Sequence, residues 1–276
     1  MKNFIAALLL AFFSACALAS TINFAEDFQG KSGCFILFNL NQNKLVEKYN
    51  PARCAKRITP ASTFKIPLSL MAFDQKLITQ ETIFKWDGQE KELAAWNCDQ
   101  SPQTWLKNSV VWVSQAITPQ LGIAKIKSYL KKFHYGNQDF SGDPGKNNGL
   151  THAWLSSSLK ISADEQFKFI KKLVTNTLPV SKQAMINTKK NMFRETSPNG
   201  YQLYGKTGSG SDVHHPIYNQ QHQLEDGWFT GFLEKDHQKY IFVLNFSDLQ
   251  PPLTIEPAGL RAKAMTKSFL TKMGLF

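Results

Sequence analysis

The stretch Pro60-Ala61-Ser62-Thr63-Phe64-Lys65 decides both the fold and the chemistry of this chain. On a helix, residues three positions apart lie on one face with Cβ atoms about 5–6 Å apart. The spacing therefore places the Ser62 hydroxyl beside the Lys65 amine. A serine needs a neighbouring base before it can attack a carbonyl at neutral pH. Because Ser-x-x-Lys recurs by chance, its interpretation depends on the motifs that accompany it.

Three further motifs follow in order: Ser109-Val110-Val111, Tyr135-Gly136-Asn137 and Lys206-Thr207-Gly208. Ser109 could relay a proton between nucleophile and leaving group. Lys206 and Thr207 could hold a substrate carboxylate while backbone N–H groups stabilise an oxyanion. Each residue also has an ordinary explanation: a helix cap for Ser62, a surface hydroxyl for Ser109, a solvated charge for Lys206. Their joint order and spacing favour an active site.

The hydrophobic pattern changes along the chain from strand-like to helical and back. A hairpin is predicted from two runs joined by polar residues, 34–40 and 44–49. Apolar residues then recur at helical spacing over 63–76, 119–133 and 163–174, with Pro119 and Ser162 as helix-start signals. Strand-like runs return at 201–204, 227–233 and 239–246, before an amphipathic helix over 257–273.

This organisation predicts an α+β fold with one antiparallel sheet and a segregated group of helices. The sheet is expected from both chain ends, about 30–60 and 200–276, with a helical lobe inserted at about 62–195. Residues 20–276 are predicted to form a single domain. The cleft between sheet and lobe is where a ligand pocket is expected, and a long loop is predicted over 208–223.

The first nineteen residues have the pattern of a secretory signal peptide. Lys2 supplies the positive start, 4–13 form a short apolar run, and Ala17-Leu18-Ala19 matches a cleavage site. Cleavage after Ala19 and a periplasmic location without a membrane anchor are therefore predicted. A buried N-terminal helix and lipid attachment at Cys16 are the alternatives.

Export makes a disulfide feasible. Cys34 begins the first strand of the predicted hairpin, and Cys54 follows the second strand by a few residues. A bridge between them is therefore expected, with buried free thiols as the alternative. The pairing of Cys98 is left open. No Cys or His pair has zinc-ligand spacing, and the polar stretch around His214, His215 and His222 is interpreted as a loop. No metal is predicted.

The net charge is +11, which could attract nucleic acid, an anionic membrane or a small carboxylate. The lysines are scattered without interleaved aromatic residues, so nucleic-acid binding is not predicted. The segment 200–207 matches a phosphate-binding loop letter for letter. Its interior, Tyr-Gln-Leu-Tyr, favours a strand, and no helix is expected after it. The match is interpreted as coincidence.

On these motifs the chain resembles the class D (oxacillinase-type) serine β-lactamases, within the penicillin-recognising serine enzymes. The resemblance extends from about Cys34 to the final helix. It is also carried by Ile66-Pro67-Leu68, Trp154-Leu155 and Leu159-Lys160-Ile161-Ser162. A class A enzyme would have Ser-Asp-Asn at 109–111 and a Glu-x-x-Leu-Asn loop, and neither occurs here.

The resemblance implies hydrolysis of penicillin-type β-lactams, conferring resistance. It implies that Lys65 is carboxylated by carbon dioxide in an apolar pocket, since only a neutral amine can add to carbon dioxide and desolvation lowers a lysine pKa. No other cofactor is expected. The implied catalytic residues are Ser62, Lys65, Ser109, Trp154 and Lys206. The implied substrate-binding residues are Val111, Thr207, Gly208 and Arg261, whose guanidinium would bind the substrate carboxylate.

Three other functions remain open at this point. A non-hydrolytic β-lactam sensor and a cell-wall D,D-peptidase (transpeptidase or carboxypeptidase) use the same serine and lysine. A basic scaffold protein with an inactive site is the third. The sequence leaves undecided which β-lactams are preferred and whether the protein is a monomer or a homodimer.

Overall fold

The computed structural model describes residues 22–211 and 224–276. Within these ranges the chain forms a six-stranded antiparallel sheet in the order β2-β1-β6-β5-β4-β3. The strands are β1 (Lys31–Asn39), β2 (Lys44–Tyr49), β3 (Phe193–Thr196), β4 (Gln202–Ser211), β5 (Glu225–Lys235) and β6 (Gln238–Asp248). The helices are α1 (Phe24–Asp27), α2 (Pro51–Ala55), α3 (Lys65–Asp74), α4 (Pro102–Lys107), α5 (Val111–Leu121), α6 (Ile123–Phe133), α7 (Gly149–His152), α8 (Ala163–Val174), α9 (Lys182–Asn191) and α10 (Ala258–Lys272).

This topology confirms the predicted α+β class. Strands β1 and β2 come from the N-terminal part, β4 to β6 come from the C-terminal part, and α3 to α9 intervene as the helical lobe. The N-terminal strands join the C-terminal ones through the β1–β6 pair, which runs from Lys31↔Asp248 to Asn39↔Tyr240. One sheet is thus assembled from both chain ends.

Side-chain alternation along β1 divides the hydrophobic core into two layers. Ile36 and Phe38 point to the inner core, beneath the helical lobe. Phe35 and Leu37 point to the outer core, which α10 covers with Phe269 among others. The inner layer matters for function because it forms the boundary between sheet and lobe, where the candidate site lies.

The predicted disulfide is present. Cys34 on β1 and Cys54 on α2 are bonded, with Cα atoms 5.2 Å apart and a sequence separation of 20 residues. Closing a loop of that length contributes about 3 kcal/mol in the chain-entropy model. The alternative of buried free thiols is therefore excluded, and Cys98 is a free, exposed cysteine.

Several predicted boundaries were wrong. One helix was predicted over 119–133, but the structure has two, α5 and α6. Pro119 lies inside α5 and therefore does not start a helix. Gly122, at φ 77°, separates α5 from α6, since glycine tolerates that conformation. Strand β4 continues to Ser211, whereas a loop was predicted from Gly208. Pairing with β5 along its whole length overrides the weak strand propensity of the Gly-Ser-Gly-Ser segment.

Two predictions fall outside the described residues: the signal peptide with its cleavage site, and most of the polar loop containing His214, His215 and His222. In the described ranges, no helix is long and apolar enough to cross a membrane. The same ranges contain no group of three His, Cys, Asp or Glu residues that could hold a metal ion.

Candidate active site

Ser62 lies in a constrained 3₁₀ turn, Ala61–Phe64, immediately before α3. Ala61 has φ 46°, which is uncommon for a residue with a Cβ atom. The turn is held by Thr59, whose Oγ1 accepts from the Ala61 N–H at 3.4 Å and whose carbonyl accepts from Trp228 Nε1 at 2.8 Å. Ser62 itself is partly exposed. A strained turn thus presents the hydroxyl at the start of the helix, as nucleophile sites commonly do.

Lys65 is fully buried, and its Nζ lies 3.0 Å from Ser62 Oγ. Burial lowers the pKa of Lys65 to about 7, because the charged ammonium loses its hydration. A large fraction of this lysine is therefore neutral at neutral pH. A neutral amine at this distance can accept the serine proton, which the sequence spacing predicted.

Trp154 packs next to the nucleophile turn. Its indole stacks on Phe64 with ring centroids 5.3 Å apart, and on Phe140 at 6.0 Å. The side chain is fully buried, and among the described residues Trp154 Nε1 has no hydrogen-bond partner. An unpaired buried donor costs about 1–3 kcal/mol. The site therefore contains an N–H group suited to an acceptor that the described side chains do not supply.

Lys206 reaches Ser109 across the cleft. Its Nζ donates to Ser109 Oγ at 2.9 Å and to the Thr207 carbonyl at 3.0 Å. Ser109 has φ 61°, so the turn before α5 is also held in an uncommon conformation. Burial, and then the positive charges of Lys65 and Arg194, lower the pKa of Lys206. The pair can therefore pass a proton between a lysine and a hydroxyl.

Among the described residues, the edge of β4 opposite β5 is paired with a strand, β3, only at 202–204. The rest of this edge, which faces the Ser62 turn, is called the open edge. The Gly205 N–H donates to the Met192 carbonyl at 2.9 Å and the Ser211 N–H to Ser156 Oγ at 3.0 Å, both away from β5. Backbone N–H groups alternate sides along a strand, so the N–H of Ser209 points to the same open edge. It lies on the side where an acyl substrate would be placed.

Gly208 allows β4 to approach the nucleophile turn. A Cβ atom at this position would lie 3.0 Å from the Pro60 carbonyl oxygen and 3.3 Å from the Thr63 nitrogen, tighter than most real contacts. Thr207 is partly exposed, with Oγ1 3.4 Å from Lys206 Nζ. Val111, the first residue of α5, is also partly exposed, two residues after Ser109.

Comparisons with known proteins agree with this geometry. The penicillin binding protein transpeptidase domain family matches residues 31–268. Beta-lactamase OXA-1 of Escherichia coli is 50% identical over 217 residues, which are 78% of this chain and 76% of OXA-1. This chain belongs to the class D serine β-lactamases. The solved structure of class D beta-lactamase BAT-2 has a TM-score of 0.78 at 35% identity, covering 94% of this class D chain and 98% of that one.

A receptor domain is equally similar in fold to this class D chain. The C-terminal domain of the Bacillus licheniformis BlaR penicillin-receptor has a TM-score of 0.79 at 31% identity, covering 92% of this chain and 95% of that one. The same fold thus occurs in β-lactamases and in a penicillin receptor.

Arg261 lies in a network of ion pairs within the protein. Its guanidinium donates to both carboxylate oxygens of Asp248 at 2.8 Å and to Glu225 at 3.1 Å. It also lies over the Phe246 ring, which belongs to the outer core rather than the cleft. Two carboxylates thus pair with Arg261, which makes it a structural cation in this class D chain; that it also binds a substrate carboxylate stays a prediction.

Arg261→Ala is expected to cost about 3–5 kcal/mol of unfolding free energy, because Asp248 would remain buried without its partner. The KM for a penicillin should change by less than about twofold if the ion pairs are the whole role of Arg261, and should rise well beyond that if the guanidinium also binds the substrate carboxylate. Urea unfolding and steady-state kinetics check both. Arg57→Ala, which removes the more exposed pair with Glu165, should cost at most about 1 kcal/mol. A large KM increase with unchanged stability would show that Arg261 binds substrate and that its ion pairs contribute little to stability.

Two residues of the site were missed by the sequence analysis of this class D chain. Ser209 follows Thr207 by two residues, so strand alternation places its N–H on the same edge. No sign of this appears in the sequence, because the Gly-Ser-Gly-Ser segment is typical of a loop. Arg194, on β3, gives no local signal, because its importance depends on Leu106 and Lys206, which are distant in sequence.

Proposed function

We propose that this protein hydrolyses the β-lactam ring of penicillin-type antibiotics through an acyl-enzyme on Ser62, and so confers resistance. The observation that carries the proposal is the fully buried Lys65 amine 3.0 Å from the Ser62 hydroxyl. The 50% identity of this chain to Beta-lactamase OXA-1 supports the same function. The geometry of these two groups supplies the nucleophile and its base.

In the acylation step, Ser62 Oγ attacks the carbonyl carbon of the ring while its proton passes to the base at Lys65. The negative charge that develops on the carbonyl oxygen would be stabilised by the N–H groups of Ser62 and Ser209. The C–N bond of the ring then breaks. The leaving nitrogen takes a proton from Ser109, which is replenished by Lys206 at 2.9 Å.

We further propose that Lys65 acts as a carbamate. The neutral amine adds to the carbon of carbon dioxide and releases one proton, which leaves an anionic carboxylate on Nζ. A depressed lysine pKa favours this addition, and the unpaired N–H of Trp154 is a suitable donor to the new oxygens. The residues present thus fit the modification. In the deacylation step, the same base takes a proton from water, whose oxygen attacks the ester carbon and releases Ser62.

Substrate binding is assigned to the open edge of β4. Thr207 and the ammonium of Lys206 would hold the substrate carboxylate, while Gly208 leaves room for the acyl group beside the strand. Val111 would contribute an apolar contact from the start of α5. Catalysis is proposed to take place in the periplasm after removal of residues 1–19, by a monomer or a homodimer, without nucleic acid or a membrane anchor.

Stable acylation as a sensor is the second candidate, favoured by the similarity to the BlaR receptor domain. The two functions differ only in deacylation. The purified protein is mixed with a penicillin, and product formation is followed together with the mass of the protein. Many turnovers per protein molecule are expected. One equivalent of product with a lasting adduct on Ser62 would indicate the sensor, and no adduct would refute both.

The turnover number is expected to fall as the pH is lowered through about 7, the pKa of Lys65. Below that pH the lysine is mostly an ammonium, which cannot add to carbon dioxide, so the decrease approaches about tenfold per pH unit. The measurement is kcat against pH at constant dissolved carbon dioxide. A kcat that stays level well below neutral pH would contradict a lysine that must be neutral.

A further inference from the structure

Arg194 is a partly buried cation on β3, and the proposed mechanism assigns it no role. Its guanidinium donates to three backbone carbonyls: Phe193 at 2.8 Å, Asn191 at 3.3 Å and Leu106 at 3.3 Å. The ion pairs among residues 22–211 and 224–276 do not include it. Glu195, its neighbour in the chain, pairs instead with two lysines of α10. In the described part of the chain Arg194 thus has no carboxylate partner, and burial lowers its pKa to about 10.

The contact with Leu106 places this charge at the end of α4. Carbonyls in the last turn of a helix lack partners within the helix, and a cation there is favourable. Helix α4 ends at Lys107 and leads directly into Asn108 and Ser109. Trp96 Nε1 also holds this turn, because it donates to the Asn108 carbonyl at 2.9 Å. Arg194 and Trp96 therefore fix the backbone that carries the Ser109 hydroxyl.

Arg194 also acts on Lys206 through space. Among the described residues, two cations lower the pKa of Lys206 by repelling its ammonium: Lys65 from α3, as long as it is an unmodified ammonium, and Arg194 from β3. Lys65 loses this charge at about neutral pH or when it becomes a carbamate, whereas burial lowers the pKa of Arg194 only to about 10. Arg194 is thus the repelling charge that remains near Lys206 above neutral pH.

We propose that Arg194 is a positioning residue for the proton path to the leaving nitrogen. Its guanidinium ties the end of α4, and with it Ser109, to β3, and its positive charge repels the ammonium of Lys206. The inference rests on the proposed function, since it assumes that Ser109 and Lys206 protonate the ring nitrogen.

The test compares Arg194→Gln and Arg194→Lys with the unmodified protein. The acylation rate with a chromogenic cephalosporin is measured by stopped flow across the neutral and alkaline range. We expect Arg194→Gln to slow acylation by about tenfold. It should also move the alkaline limb of the profile to higher pH, because Lys206 would hold its proton more tightly. Arg194→Lys should keep the limb in place but recover only part of the rate, since an ammonium cannot reach three carbonyls with a planar fork.

Lys125→Gln is the matched control. Lys125 is exposed on α6, so this variant removes one charge away from the site and should leave rate and profile unchanged. A merely structural Arg194 would lower the unfolding free energy of Arg194→Gln without moving the alkaline limb, which would overturn the proposal. An unchanged rate and an unchanged limb would overturn it as well.

A double-mutant cycle with Ser109→Ala gives a second test. Once the proton path is interrupted at Ser109, adding Arg194→Gln should slow acylation little further. Two rate losses that simply multiply would contradict a shared path. If the unmodified protein forms no acyl adduct, the proposed function fails and this inference with it. If that protein acylates normally and the Arg194 variants behave identically to it, only this inference fails.

Discussion

Lys65→Ala is expected to abolish turnover of penicillins. Lys65 Nζ contacts Ser62 Oγ at 3.0 Å, and nothing else in the described part of the site is placed to take both the serine proton and the later water proton. Loss of a general base costs roughly 10²–10⁴-fold in each step that uses it. Acylation should therefore be slow, and any adduct that forms on Ser62 should persist, because deacylation depends on the same group.

Intact-protein mass spectrometry over several hours checks this expectation, with turnover measured in parallel. Lys125→Ala on the exposed face of α6 is the control and should turn over normally. Thermal unfolding should show that Lys65→Ala remains folded, since the change removes a buried polar group rather than a core hydrophobe. Normal turnover by Lys65→Ala would refute the assigned base, with or without a carbamate.

Ser62→Ala is expected to remove covalent chemistry altogether. Without the hydroxyl no ester can form, and activity should fall by a factor on the order of 10⁶, as it does when a nucleophile that acts together with its base is lost. Non-covalent binding should survive, because the groups proposed to hold the substrate carboxylate, Thr207 and Lys206, are unchanged. Equilibrium binding of a penicillin, together with the absence of a mass increase, measures both properties.

Ser62→Ala combined with Lys65→Ala provides the check on this assignment. Two groups that act as one unit do not lose activity additively, so the double variant should be no slower than Ser62→Ala alone. A further large decrease would show that Lys65 has a separate catalytic role. An adduct on Ser62→Ala would identify another nucleophile.

Much of the site could be predicted because its chemistry is encoded locally. The three-residue spacing of Ser62 and Lys65 is preserved although Ser62 lies in a 3₁₀ turn rather than in α3 itself. The disulfide was predictable because Cys34 and Cys54 are joined by a short hairpin-containing segment. The assembly of the sheet from both chain ends followed from the alternation of apolar residues.

Contacts between distant segments could not be predicted in the same way. The ion pairs of Arg261 could not be predicted, because Asp248 and Glu225 become its neighbours only when β5, β6 and α10 pack together. Arg194 likewise gains its position from α4. The contacts of both residues depend on packing between segments that are distant in the sequence. A single sequence does not encode such packing in a recognisable pattern.

The carbamate on Lys65 is the central claim of this account, and ¹³C NMR in labelled bicarbonate tests it most directly. The intact protein should show one slowly exchanging carbamate signal, absent in Lys65→Ala, that disappears as the pH falls below about 7. Turnover should rise and fall with that signal. A protein that hydrolyses penicillins at full rate without any carbamate signal would contradict the account.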